Sequence, residues 1–151
     1  MVYPGRMADT SHALSTSVLK ERLEAAFPSL LEELTQLVAI PSVSSDPAHA
    51  ADVERSAEHI RERFAALGLE AKVLRETAED GTEGKPALVA HTPHIEGAPT
   101  VLLYAHHDVQ PVGELDRWSM DPYKAEVLGD RIYVRGSSDD GAGITVHLGS
   151  L

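Results

Sequence analysis

The feature that most restricts the fold of this chain is a short apolar run that ends directly in potential metal ligands. Val101–Tyr104 has the length and composition of a buried strand, and the triplet His106–Asp108 follows almost at once. Ligands bind at the carboxyl ends of strands in open α/β sheets, and His106 and Asp108 are spaced to point the same way. One could bind metal while the carboxylate fixes the tautomer of the histidine. An Asx-type turn before Pro111 would use the same residues, so spacing alone leaves both interpretations open.

A second strand followed by polar residues lies near the end of the chain. Arg131–Val134 reads as a short strand, Gly136–Ser138 as a tight loop, and a helix is predicted from Ala142. Asp139 and Asp140 therefore precede a helix, where a carboxylate often serves as the N-cap. Two adjacent carboxylates exceed what a cap needs, and the glycine-rich loop would allow the sharp bend of a cation-binding site. Capping and metal binding both stay open here.

The remaining patterns alternate between helix and strand. Leucines and Phe27 recur at three- and four-residue spacings from Thr16, which predicts an amphipathic helix, interrupted or kinked near Pro28, whose apolar stripe packs in the core. A second helix, capped by Ser45 or Asp46, is predicted to run to Leu67 and to stop at Gly68. Residues 69–75 and 86–92 read as two strands joined by a polar, hairpin-like loop. These elements predict an α/β protein.

Composition excludes several classes of function. The net charge of −11 argues against nucleic-acid binding through a basic patch, and no apolar run is long enough to span a membrane. With no cysteine in the chain, a metal site would have to use imidazole and carboxylate groups. The absence of cysteine and of a secretory signal predicts a cytoplasmic protein.

Weaker candidates for chemistry lie elsewhere in the chain. His91 and His94 are three residues apart, but Pro93 breaks the helical geometry that a metal pair would need, and His147 lies on the predicted last helix. Trp118 and Tyr123 would either wall a cleft or simply pack. A serine nucleophile at Ser137 or Ser138 lacks the G-x-S-x-G pattern of a nucleophile elbow.

Several segments, in order, resemble the M20 metallopeptidases, and especially their dipeptidase branch of carnosinase-like and succinyl-diaminopimelate desuccinylase-like enzymes. Ile40-Pro-Ser-Val-Ser44 is similar to an early I-P-S-V-S element, and His106-His-Asp-Val-Gln-Pro111 to the H-x-D-V-Q-P signature. Trp118 with Asp121-Pro-Tyr123 resembles a W-x-x-x-P-F segment, and residues 131–143 resemble the G-R-G-x-x-D-D-K-x-G signature. Together these segments cover most of the chain from about residue 17.

The resemblance implies a three-layer α/β/α catalytic domain of the zinc-exopeptidase kind, with a mixed sheet and two zinc ions. It implies that His106 binds one zinc, that Asp108 is the catalytic-site carboxylate that orients His106, and that Asp139 bridges both metals. Family members often have a cis peptide bond after that aspartate. The sequence departs from the signature at Val134, where glycine is usual, and at Gly141, where lysine is common.

By the same resemblance, the intact protein would hydrolyse the amide bond of dipeptides or N-acyl amino acids and would form a homodimer. The family's general base and remaining ligands follow later than Leu151, so we expect an incomplete and inactive amino-terminal part of the catalytic domain over residues 16–151. The helix predicted from Ala142 also reaches Leu151 without a helix-stop signal. Residues 1–15 are predicted to be disordered. The alternative is a non-catalytic, truncated or decayed copy that binds metal weakly or serves as an interaction module.

Overall fold

A computed structural model describes residues 14–151 of the chain. The predicted disorder of residues 1–15 therefore falls almost entirely outside the described residues. The described part contains three α-helices and four strands, which confirms the predicted α/β class. The helices are α1 (Thr16–Val38), α2 (Ala50–Ala66) and α3 (Ala142–Ser150), and the strands are β1 (Glu70–Leu74), β2 (Ala87–His91), β3 (Glu126–Leu128) and β4 (Arg131–Tyr133).

Helix α1 begins where the sequence predicts and runs through Pro28 without interruption. The Ser15 hydroxyl caps it by accepting a hydrogen bond from the Val18 amide at 3.4 Å. Only the carboxyl-terminal half of the apolar stripe is buried; Leu23 and Phe27 are more than half exposed. The prediction that the whole stripe packs in the core is therefore wrong, because periodicity identifies an apolar face without supplying the element that covers it.

Helix α2 follows a single 3₁₀ turn, Pro47–His49, and both of its predicted end signals are used. The Asp46 carboxylate accepts a hydrogen bond from the Ala48 amide at 2.9 Å, which caps that turn. Gly68 follows the helix with a φ of +87°, a left-handed conformation that glycine adopts without steric cost. The two residues therefore frame the helix as the sequence indicated.

The strands form two separate antiparallel pairs in the described part of the chain. Strand β1 pairs with β2 from Glu70 opposite His91 to Leu74 opposite Ala87, and β3 pairs with β4. Val101–Tyr104 lies between these pairs and is not in a strand, so its prediction as a buried strand is wrong. Its four side chains are 44–89% exposed. No strand of residues 14–151 runs beside it, and a strand exists only through such pairing, so the expected mixed sheet is not assembled here.

Two small apolar clusters hold the helices together and fix the position of α3. Leu34 and Val38 of α1 pack with Val134, which follows β4. A second cluster joins one residue from each helix, namely Leu37, Ile60 and Ile144. Because α3 is packed on α1 and α2, the turn that precedes it is held close to the residues that follow Tyr104. Within residues 14–151, no helix combines the length and apolar character needed to cross a membrane.

Candidate metal centre

Two loops bring the predicted metal ligands into contact. His106 lies just after the exposed Val101–Tyr104 segment, and Asp139 lies in the turn Ser137–Gly141 that precedes α3. The Nε2 atom of His106 and the Oδ1 atom of Asp139 are 2.9 Å apart. Although 33 residues separate them in sequence, the two side chains thus meet at one point, as the resemblance implied.

The other ring nitrogen of His106 faces Asp108. The Nδ1 atom lies 3.2 Å from Asp108 Oδ1 and 3.1 Å from the Asp108 carbonyl oxygen. Both of these oxygen atoms can only accept, so Nδ1 donates and carries a proton. Asp108 therefore lies on the side of the ring away from Asp139, and its predicted orienting role stays a prediction.

The second oxygen of the Asp108 carboxylate is held by Ser44. The Ser44 hydroxyl donates a hydrogen bond of 2.5 Å to Asp108 Oδ2. Partial burial alone would raise the pKa of Asp108, but this hydrogen bond and the charge of His106 outweigh it and lower the pKa below its ordinary value. Asp108 is therefore held as a carboxylate.

The pKa of His106 is shifted in the opposite sense. Burial alone would lower it, but hydrogen bonds to Asp139 and to the Asp108 carbonyl, together with the charges of both carboxylates, raise the pKa above its ordinary value. Each ring nitrogen of His106 thus faces an acceptor oxygen. A cation at Nε2 would occupy the place of any proton on that nitrogen.

The structure also bears on the capping alternative for Asp139 and Asp140. Within the described residues, neither carboxylate accepts a hydrogen bond from an amide of α3; Asp140 Oδ2 instead accepts one from the His106 amide at 3.2 Å. The peptide bond between Asp139 and Asp140 is cis, as the resemblance implied. Asp139 is 79% exposed, which leaves its second oxygen accessible for another partner. Asp139 and Asp140 thus contact His106 and do not cap α3.

Both departures from the family signature have a packing explanation. A Cβ atom at Gly141 would lie 2.8 Å from the Gly136 carbonyl oxygen and 3.0 Å from the Leu34 side chain, so a larger residue would require this turn to shift. Val134 is buried in the cluster with Leu34 and Val38. Neither departure changes a residue that is predicted to bind metal.

The weaker candidates do not join this site. Among the histidines, His91 lies 3.5 Å from Glu70, and His147 Nε2 is 2.9 Å from the Tyr104 carbonyl oxygen. The hydroxyl of Ser137 donates to the Val134 carbonyl at 3.1 Å, which does not prepare it as a nucleophile. Trp118 donates to the Val112 carbonyl and lies under the Arg135 guanidinium, 5.5 Å from ring centre to Cζ, so its role is packing.

The two side chains that meet, His106 and Asp139, carry donor atoms that suit a divalent cation, but two ligands are few for such an ion. Imidazole nitrogen and carboxylate oxygen are ligands that zinc accepts, and the direct contact of His106 with Asp139 shows that both can reach one ion. Within residues 14–151, no group of three or more His, Cys, Asp or Glu side chains is arranged to hold a metal ion. Asp108 cannot be the third ligand because it occupies the far side of the His106 ring.

The residue that sequence reasoning missed is Ser44. It lies 64 positions before Asp108, in the Ile40–Ser44 segment, which the sequence identified only as part of the family resemblance. The available signal was a hydroxyl without a predicted capping role, which indicates a donor but not its partner.

Comparison with known proteins relates the segment that holds both loops to one peptidase family. Residues 102–151, which carry both loops, match the model of peptidase family M20/M25/M40. A cysteinylglycine-S-conjugate dipeptidase from Corynebacterium striatum is 30% identical over 81% of this chain and 26% of its own length. A Cys-Gly metallodipeptidase from Candida albicans is 30% identical over 87% of this chain and 29% of its own. A succinyl-diaminopimelate desuccinylase from Parvibaculum lavamentivorans is 34% identical over 72% of this chain and 25% of its own.

Two solved structures share the fold. The dipeptidase Dug1p from Saccharomyces cerevisiae superposes with a TM-score of 0.78 at 23% identity, over 88% of this chain and 29% of that one. Human carnosine dipeptidase 1 gives 0.79 at 21% identity, over 87% of this chain and 29% of its own. The chain thus spans between a quarter and a third of the length of the relatives named here. The match of residues 102–151 to the family model, together with the relatives at 30–34% identity, places this chain in the M20 peptidase family.

Proposed function

We propose that this chain supplies part of the active site of a metal-dependent hydrolase that cleaves the amide bond of dipeptides or N-acyl amino acids. The observation that carries the proposal is the contact of His106 Nε2 with Asp139 at 2.9 Å, while Asp108 holds Nδ1 from the other side. The relatives named as dipeptidases and as a desuccinylase support this choice of substrate class.

In the proposed reaction, a water oxygen bonds to the amide carbonyl carbon, the C–N bond breaks, and the amine leaves with a proton. Two bound zinc ions would supply an acidified water and a polarised carbonyl. His106 would hold one ion through Nε2, and the Asp139 carboxylate would help to hold both. Asp108 would keep the His106 proton on Nδ1, so that Nε2 presents a lone pair at every turnover.

These residues do not complete the site. A catalytic zinc ion typically has three protein ligands, so His106 and Asp139 cannot satisfy two ions. We propose that the other ligands and the general base belong to residues beyond those described, in the remainder of the catalytic domain. Homodimer formation and a cytoplasmic location are part of the same proposal and rest on the resemblance and on composition.

The scarcity of ligands also favours a second candidate function. Among residues 14–151, His106 and Asp139 are the two candidate ligands that meet, and two ligands would bind a cation weakly and would not support turnover. On this alternative, the 151-residue chain is a non-catalytic metal-binding or interaction module.

Zinc calorimetry on the 151-residue chain, with hydrolysis of Cys-Gly and of an N-succinyl amino acid assayed in the same samples, tests both proposals. We expect weak zinc binding that is lost in His106→Ala and in Asp139→Ala. The matched control is His94→Ala, which removes an exposed imidazole that lies outside the two loops of the site.

The outcomes separate the two candidate functions. Binding that depends on His106 and Asp139 without turnover supports an incomplete site in this chain. Binding of two ions with turnover supports the hydrolase and shows that a full site assembles, for instance between two chains. Zinc binding that is unchanged in both variants contradicts the assignment of this centre.

A further inference from the structure

The segment Ile40–Ser44 lies against the loop that carries His106 and Asp108. The Ser42 hydroxyl donates to the His107 carbonyl at 2.8 Å, and the Val109 amide donates to the Ser42 carbonyl at 3.0 Å. Ser56 of α2 adds a hydrogen bond of 3.1 Å to the same His107 carbonyl. These bonds attach the backbone on either side of Asp108 to the helical part of the fold.

Ser44 differs from its neighbours because it contacts a side chain of the site and not the backbone. Its hydroxyl donates to Asp108 Oδ2, while Asp108 Oδ1 faces His106 Nδ1. The two oxygens of one carboxylate are thus divided between the serine and the histidine. Asp108 is 37% exposed, so packing alone does not fix the rotation of its carboxylate.

We propose that Ser44 is a positioning residue for the metal centre: it fixes the Asp108 carboxylate, which in turn favours the proton on His106 Nδ1 and leaves the lone pair of Nε2 for a metal ion shared with Asp139. The inference rests on the proposed function and extends it to a residue outside both signature loops. A hydrogen bond to a charged acceptor is stronger than one between neutral groups, and it has a preferred direction, so a hydroxyl suits this task.

Removal of the hydroxyl should therefore release the carboxylate without removing it. In Ser44→Ala, Asp108 keeps its charge but can rotate away from His106 or turn to solvent. The Asp108 carbonyl stays as an acceptor for Nδ1, so His106 keeps one of its two contacts with Asp108. We expect the Nδ1–H tautomer of the neutral ring to lose population and zinc affinity to fall about 10-fold, the lower end of the range for an outer partner of a ligand.

The test is ¹⁵N NMR of the histidine rings in the metal-free 151-residue chain at alkaline pH, followed by zinc calorimetry on the same samples. The variants are Ser44→Ala, Ser44→Thr and Ser42→Ala. Ser44→Thr keeps the hydroxyl and should keep the wild-type tautomer. Ser42→Ala should lower the free energy of unfolding, because Ser42 is buried, while leaving the proton of His106 on Nδ1.

An unchanged His106 tautomer together with unchanged zinc affinity in Ser44→Ala would overturn the inference. If Ser44→Ala does not fold, Ser44→Cys, which offers only a weak donor in a similar volume, must show the same loss. Failure of the proposed function is distinguishable, because a wild-type chain that binds no zinc still reports its tautomer in the metal-free spectrum.

Discussion

Replacement of Gly136 by alanine should destabilise this protein more than replacement of Gly97 by alanine. The two glycines have a similar φ, but only Gly136 is packed against another loop. Gly136 joins β4 to the Asp139 turn with a φ of +81°. A Cβ atom here would collide with the Val109 side chain, next to Asp108. Gly97 has a similar φ of +78°, but nothing lies within 4 Å of the place that a Cβ atom would take there, so it is the matched control.

The magnitude follows from two separate costs. A left-handed conformation costs an L-residue about 1–2 kcal/mol, and both variants incur it. Only Gly136→Ala also forces a methyl group into a packed contact, which typically costs about 1–3 kcal/mol. We therefore expect a loss of about 2–5 kcal/mol at Gly136 and about 1–2 kcal/mol at Gly97.

Urea unfolding, followed by the fluorescence of Trp118, the only tryptophan, measures the difference. The double variant Gly136→Ala/Val109→Ala removes the collision and should show a coupling energy of about 1–3 kcal/mol in the stabilising direction. It also keeps the test usable if Gly136→Ala alone does not fold. Equal losses at Gly136 and Gly97, or no coupling with Val109, would refute the close approach of the two loops.

Two further predictions concern the core and the response to acid. Leu37→Ala should lower the free energy of unfolding by about 2–5 kcal/mol because Leu37 is buried between the helices, whereas Leu102→Ala, at an 89% exposed position, should cost about 0.5 kcal/mol or less; equal urea midpoints would contradict this. Burial, and then the charge of Arg63, lower the pKa of His59 below its ordinary 6.5 although Glu33 opposes the shift. The unfolded chain then binds the proton more readily, so stability should fall as the pH drops below about 6.5, and His59→Gln should lose less; parallel pH curves of urea midpoints for both proteins would exclude this role.

The candidate site could be named from the sequence but not assembled from it. His106, Asp108 and Asp139 were identified by polar residues that follow apolar runs and by the resemblance of the surrounding motifs. The sequence could not show which ring nitrogen of His106 faces which carboxylate. That depends on how two loops, 33 residues apart in sequence, pack against each other. The contribution of Ser44 was missed for the same reason, since nothing local to residues 40–44 indicates a carboxylate as partner.

Local patterns by themselves determined the three helices, the strands β1 and β2, and the capping residue Asp46, because each of these depends on neighbours within a few positions. Only the tertiary structure decided that Val101–Tyr104 is not a strand and that the first half of α1 stays exposed. An apolar run specifies a surface that prefers burial, but pairing and burial require a second surface, and its presence is a property of the assembled fold.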